Sequence, residues 1–163
     1  VKENNPVSHI YDLKDILAYR ERAAADGLRV VLTNGCFDLL HCGHANYLRQ
    51  SASLGDILIV AVNSDASVRA LKGPHRPLNS EGDRAYLLES LSCVDAVFIF
   101  SGPRLGAEIR LLRPDIYTKA GDYTPDTLDP SERAALDEVG TEIRILPFVE
   151  GHSTTSLIHR AAH

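Results

Sequence analysis

The side chains best able to do chemistry crowd into Leu32 to Leu48, LTNGCFDLLHCGHANYL. A strand-like run gives way there to a helix-like one, and His41-Cys42-Gly43-His44 stands at the change. Such a cluster can hold a metal, hold a phosphate, or simply pack. Cys36, His41, Cys42 and His44 offer nitrogen and sulfur ligands within nine positions. Their spacing, Cys-x4-His-Cys-x-His, is not the two close pairs with a longer loop between them that structural zinc sites use. Free cysteine more often packs as a small hydrophobe, so Cys36 and Cys93 read as core and Cys42 as a spacer between the histidines. The phosphate reading accounts for more of the residues. Gly35 and Gly43 let backbone approach an anion closely. His44 falls near the start of a helix, where amide N–H groups and the helix dipole favour negative charge. An imidazole there can donate to a phosphoryl oxygen without carrying a permanent charge. Two histidines three positions apart, with glycine between, can bracket one phosphate.

These side chains need a scaffold, and hydrophobic periodicity supplies one. Residues 9–27 place Ile10, Leu13, Ile16, Leu17 and Ala24 at helical spacing, with Gly27 as the stop. RVVLTN, DILIVAVNS, VDAVFIF, DIYTKAGD and EIRILPF read as five strands, most of them apolar on both faces. Between and after them, HANYLRQSASLG, SDASVRALK, SEGDRAYLLESLS, LGAEIRLLRP, PSERAALDEVG and STTSLIHRAA read as helices. Ser80 with Asp83 suits a capped helix start, and Pro130 and Gly140 suit the two ends of another helix. The alternation predicts an α/β fold: a single-domain, five-stranded parallel sheet flanked by helices. Residues 1–27 form an N-terminal helical extension and residues 28–163 the sheet domain. The extension packs either on the sheet or on a partner. Residues 73–82, GPHRPLNSEG, read as a loop able to close over a site.

Composition narrows the classes of function. The chain has 163 residues, 44% apolar and 24% charged, with a net charge of −5. That balance argues against broad attraction to nucleic acid or membrane, while leaving room for a local basic pocket. Three cysteines without framework spacing suit reduced thiols. No apolar run reaches the roughly 18 residues of a membrane span, and VKENNPVSH lacks a signal-peptide core. Both features predict a cytoplasmic protein. The absence of Met, including at position 1, predicts a processed or trimmed start.

Open parallel sheets bind ligands at the carboxyl ends of their strands. Thr33-Asn34-Gly35, Asn63-Ser64-Asp65, Lys119-Ala120-Gly121-Asp122 and Glu150-Gly151-His152-Ser153 end or follow four strands, so they converge on one rim.

At this point the motifs resemble a known family. TNGCFDLLHCGHANYL is similar to the signature of the HxGH nucleotidyltransferases, a Rossmann-like superfamily that includes cytidylyl- and adenylyltransferases. EGHSTTSLI (residues 150–158), LKGPHRP, EGDRAYLLESLSCVDAV and RPDIYTKAGDY resemble its later elements in order. VVLTNGCFDLLHCGH, KAGDY and GHSTT together are most similar to the heptose 1-phosphate adenylyltransferases. The resemblance spans Val30 to Ile158 and implies transfer of AMP from ATP to a sugar 1-phosphate, with Mg²⁺ bridging the phosphates through substrate oxygens.

It also implies roles for individual residues. His41 and His44 would hold the α-phosphate. Lys72 would neutralise the nucleophile or the triphosphate. Arg84 would hold the β- and γ-phosphates, and Ser153 and Thr154 would meet the departing pyrophosphate together with Thr155. Thr33, Asn34, Gly35, Cys36, Phe37, Asp38 and Gly43 would line the nucleotide, as would Lys119, Gly121, Asp122, Tyr123, Glu150 and Gly151. Taken alone, Lys72 and Arg84 read more readily as solvated helix charges than as ligands, and Asp38 reads equally as a turn cap or as a neighbour of the metal. No protein metal ligand is assigned. The implied partners are ATP, the sugar phosphate and a second copy of the chain, with no nucleic acid and no membrane.

Two departures from the family pattern bear on the substrate. Ala120 stands where the pattern Lys-Gly-Gly-Asp-Tyr has the first of its two glycines. Pro147-Phe148-Val149-Glu150 stands where cytidylyltransferases carry an arginine, which favours ATP over CTP. The rival readings are a cytidylyltransferase for a polyol or amino-alcohol phosphate, and a nucleotide-binding module without turnover.

Overall fold

The computed structural model describes residues 9–121, 123–147 and 154–161. Its strands are β1 (Ile10–Tyr11), β2 (Val30–Gly35), β3 (Ile57–Asn63), β4 (Ala96–Phe100), β5 (Ile116–Ala120) and β6 (Glu142–Leu146). They form one parallel sheet in the order β1-β4-β3-β2-β5-β6. The helices are α1 (Leu13–Ala25), α2 (Cys42–Ala52), α3 (Asp65–Lys72), α4 (Glu81–Glu89), α5 (Gly106–Leu112), α6 (Pro130–Val139) and α7 (Thr154–Ala161).

The five strands expected from sequence are present, and a sixth corrects the count. Ile10 and Tyr11 pair with Val97 and Phe98 at the sheet edge, where the sequence pattern predicts the start of a helix. Asp12 ends that strand by capping α1, its side chain accepting from the Asp15 amide. A two-residue strand has too little alternation to register against the helical period that follows it. α1 itself packs on the sheet: Ile16 and Ala23 lie in the core with Leu32, Ile59 and Phe98.

β3 shows why the sheet is covered on both faces. Ile57, Ile59 and Ala61 point into one apolar cluster, and Leu58, Val60 and Val62 into the other. Successive strand side chains face opposite ways, so an unbroken apolar run needs cover above and below.

An aspartate just ahead of a strand recurs at the amino end of the sheet. Asp56, Asp95 and Asp115 accept from the backbone N–H of Arg29, Leu58 and Val30, in or just ahead of the neighbouring strand. Each then donates its own N–H to the carbonyl of that same residue. Asp115 also meets Arg20 Nη2 at 3.3 Å. Asp115→Ala leaves the Val30 amide without its 2.8 Å acceptor. The expected cost is about 1–3 kcal/mol, read as a lower urea midpoint with unchanged slope.

Sequence order reverses between β2 and β5, with β3 and β4 to one side and β6 to the other. This crevice is the switch point at which such sheets bind ligands.

Candidate active site

β2 ends in a sharp turn. Gly35 leaves room for the Phe37 ring, which would lie 3.0 Å from an added Cβ. Phe37 is left-handed, with φ 48°, an uncommon conformation for a bulky residue. The chain then enters α2 with His41 as the extended N-cap residue. The helix starts two residues earlier than the pattern predicts, so His44 lies in its first turn. The two imidazole rings stack, with centroids 3.8 Å apart, and His44 meets Phe37 edge-on at 5.3 Å. Burial, then the positive fields of His41 and Lys72, push the His44 pKa down to about 4, against a smaller opposing effect of the Leu39 backbone. His44 is therefore neutral at physiological pH and able to donate one N–H.

A cleft of about 200 Å³ opens at the switch point, lined by Asn34, Gly35, Cys36, Phe37, Asp38, His44, Tyr47, Lys72, Lys119, Ala120 and Tyr123. It gathers nine of the site residues expected from sequence, and Ala120 with them. A larger hollow of about 530 Å³ lies at the opposite end of the sheet, between α1, α5 and the residues leading into β5. Arg20 there is tied to Leu112 O, Arg113 O and Asp115, and the strand-end rule favours the smaller cleft.

Two cations reach this cleft. Lys72 is the last residue of α3. Lys119 Nζ donates to Asn34 Oδ1 at 2.8 Å and lies 5.8 and 5.9 Å from the Tyr117 and Tyr123 ring centroids. Burial pushes the Lys119 pKa down, and the Glu132 carboxylate works against that fall. Tyr117 Oη donates to the same Asn34 oxygen at 2.7 Å. An ammonium can only donate, so the Asn34 amide is held with its oxygen toward Lys119 and its NH₂ turned elsewhere.

Asp38 is almost fully buried and already engaged. It accepts from Arg76 Nε at 2.6 Å and from the amides of Leu78 and Asn79. Burial raises its pKa, but the bonds from Asn79, Arg76 and Leu78 outweigh it and hold the carboxyl below its ordinary value. Of its two sequence readings, the structure gives it the turn-capping role. Among the described residues, no three His, Cys, Asp or Glu side chains converge to hold a metal. Cys36 and Cys93 are half-buried and Cys42 is exposed.

The remaining expected residues lie elsewhere. Thr33 is buried beneath the cleft, its Oγ1 2.7 Å from Tyr47 Oη. Gly43 lies in the first turn of α2, and Gly121 follows β5 with φ 101°. Arg84 has no exposed surface and points behind the turn. Thr155 is exposed on α7, which begins at Thr154. Asp122, Glu150, Gly151, Ser153 and the Thr154 side chain lie outside the described residues.

Sequence reasoning missed the supports. Tyr47 Oη donates to Thr118 Oγ1 at 3.0 Å, and Ser51 Oγ lies 2.9 Å from that hydroxyl. These four hydroxyls tie β2, α2 and β5 together under the histidines. The available signal was a tyrosine, which needs a partner for its hydroxyl, on the same helix face as Ser51. Tyr47→Phe leaves the buried Thr33 and Thr118 hydroxyls short of a partner. It is expected to cost about 1–3 kcal/mol in thermal or urea unfolding.

Comparison with known proteins gives one consistent group. A family model described as cytidylyltransferase-like matches residues 32–160. The bifunctional protein HldE of Syntrophotalea carbinolica is 47% identical over 148 residues, covering 91% of this chain and 29% of the relative. The bifunctional protein HldE of Helicobacter pylori strain Shi470 is 51% identical over 132 residues, covering 81% and 27%. The chain thus spans under a third of the length of these curated relatives. A lipopolysaccharide core biosynthesis protein from Thermoplasma volcanium has a similar structure, with TM-score 0.62 and 29% identity over 77% of this chain and all of the other. A pantoate-beta-alanine ligase from Francisella tularensis, at 14% identity and TM-score 0.55 over 85% of this chain and 66% of the other, shares the fold.

Proposed function

The chain belongs to the cytidylyltransferase-like family, and from that premise we propose that it transfers AMP from ATP to a sugar 1-phosphate, D-glycero-β-D-manno-heptose 1-phosphate. A phosphate oxygen of the sugar attacks the α-phosphorus. The bond from that phosphorus to the bridging oxygen breaks, and pyrophosphate leaves with the electron pair. No covalent enzyme intermediate is needed, so catalysis is positioning plus charge stabilisation.

The observation that carries the reading is the cleft's donor set. A neutral His44 and the cations Lys72 and Lys119 face one space, while its lining carboxylate, Asp38, is taken up by Arg76 and two amides. That surface suits a polyanion and repels little of its charge. His44, with His41 stacked on it, donates to the α-phosphate as the phosphorus becomes crowded. Lys72 and Lys119 offset the charges of the two phosphate-bearing substrates. Asn34, Gly35, Cys36, Phe37, Tyr123 and the backbone of Thr33 and Gly43 border the nucleotide. Gly121, Asp122, Glu150, Gly151, Ser153, Thr154 and Thr155 complete the nucleotide and pyrophosphate side. Mg²⁺, for which no protein ligand is assigned, would come with ATP and would neutralise charge on the phosphates.

The similarity to HldE proteins supports the heptose as acceptor, and the missing arginine before GHSTT supports ATP. A cytoplasmic homodimer completes the proposal. No helix among the described residues is long and apolar enough to cross a membrane.

The test supplies Mg²⁺, each nucleoside triphosphate in turn and a panel of phosphorylated acceptors that includes the heptose 1-phosphate. Pyrophosphate release and product mass are read, and light scattering gives the assembly state. Release with ATP and the heptose is expected. Release only with CTP and a polyol phosphate would assign the cytidylyl reaction instead. Nucleotide binding without release would make the chain a binding module.

A further inference from the structure

We propose that Arg84 is a positioning residue, holding the turn 35–38 against the loop 73–80 rather than binding phosphate itself. The inference rests on the reading that this cleft binds a nucleotide. Arg84 sits in the first turn of α4 and has no exposed surface. Its Nη1 donates to Cys36 O at 2.6 Å, its Nε to Asn79 O at 3.1 Å and its Nη2 to Asp65 Oδ1 at 2.8 Å. One guanidinium therefore joins the turn after β2, the loop before α4 and the first residue of α3. To reach a phosphate it would have to leave two carbonyls and a carboxylate without their buried donor.

A second set of bonds closes the same seam. Asp38 accepts from Arg76 and from the Leu78 and Asn79 amides, and Asn79 Nδ2 returns a bond to Asp38 O at 2.9 Å. Residues 36 and 38 are thus both fastened to the loop, and the residue between them is the left-handed Phe37. Such a conformation persists only where its surroundings over-determine it. The Phe37 ring in turn abuts His44. Arg84 acts on catalysis through this chain of contacts, and a lysine, lacking the planar fork, cannot make all three bonds.

The test uses Arg84→Lys and Arg84→Met. Calorimetry gives the affinities for ATP and AMP, and turnover gives kcat and KM. A β,γ-phosphate ligand contributes to ATP but not to AMP, so the ratio of the two affinities isolates that role. The expected result is a ratio within about twofold of the parent, with kcat lowered about 10- to 100-fold in both variants, as for a displaced catalytic group. A ratio at least tenfold lower in Arg84→Met, restored in Arg84→Lys, would overturn the proposal. So would a lower melting temperature with unchanged kcat, which would mean that the residue only stabilises the fold. If Arg84→Met does not fold, Arg84→Lys carries the comparison. Should the parent bind no nucleotide, the failure lies with the proposed function, and amide hydrogen exchange at Leu78 and Asn79 still reads the seam. Faster exchange in Arg84→Lys is expected, and unchanged exchange would refute the seam.

Discussion

His44→Ala is expected to fold normally and to lose about 10²- to 10³-fold in kcat, the cost of removing one donor from a site that stabilises developing charge. His44 is half-buried, lines the cleft and stands within the first turn of α2. Its ring touches His41 and Phe37, so alanine opens space without stranding a charge. The loss should fall on kcat, with KM for ATP changing less, because the donor matters most as the α-phosphorus becomes crowded. Near-parental turnover from a folded variant would remove His44 from the mechanism.

The same side chain fixes a pH dependence. With its pKa pushed down to about 4 in the folded chain, from 6.5 for a free imidazole, His44 stays neutral through the physiological range. An unfolded chain binds this proton near pH 6.5, before the folded chain does. Stability contributed by His44 is therefore full above that value and declines as pH falls toward 4. The slope is at most about 1.4 kcal/mol per pH unit, and less where solvent screens the site. In His44→Ala this part of the slope should vanish, which urea unfolding at pH 7 and pH 5 would show by difference.

What could be read from sequence was whatever local pattern decides. The Ser80–Asp83 cap is present, Pro130 starts α6 and the left-handed Gly140 follows it. The apolar stretches 30–32 of β2 and 57–62 of β3 are buried on both faces because nothing polar in those stretches offered another arrangement. Strand ends brought Asn34, Lys119 and the HxGH turn to one crevice, since topology alone converges them. The illegible part was what charged side chains do once partnered. Arg84 and Arg76 look alike as sequence, two basic residues near a loop. One is fully enclosed among carbonyls and Asp65, and the other is paired with a carboxylate almost without exposure. Charged residues are seldom buried unless paired, and pairs 19 to 48 positions apart leave no periodic trace. β1 escaped for the opposite reason, being too short to carry a pattern at all.

Asp38→Ala should be the most destabilising of these changes, by about 3–5 kcal/mol, because it breaks a buried pair and leaves the other charge behind. The variant strands Arg76, whose Nε loses its 2.6 Å partner, and the amides of Leu78 and Asn79. The Arg76 side chain keeps 17% exposure and can turn partly to water, which argues for the lower half of that range. Against a total stability of about 5–15 kcal/mol the loss is large, and it corresponds to a melting temperature lower by about 6–20 °C. Asp38→Asn should cost less, since its amide oxygen can still accept from Leu78 or Asn79 while the ion pair is lost. Removing Arg76 as well should recover part of the loss in Asp38→Ala, because the stranded charge goes with it. A double-mutant cycle with no coupling would mean the pair is incidental and the two amides carry the effect. The carboxyl is held below its ordinary pKa, so its contribution is complete above the usual carboxylate range and disappears only as pH falls through the depressed folded value. The Asp38 and His44 contributions therefore separate on one pH axis. Stability linked to the imidazole declines first as acid is added, while the loop 73–80 stays fastened to the turn after β2 until the carboxylate itself takes a proton.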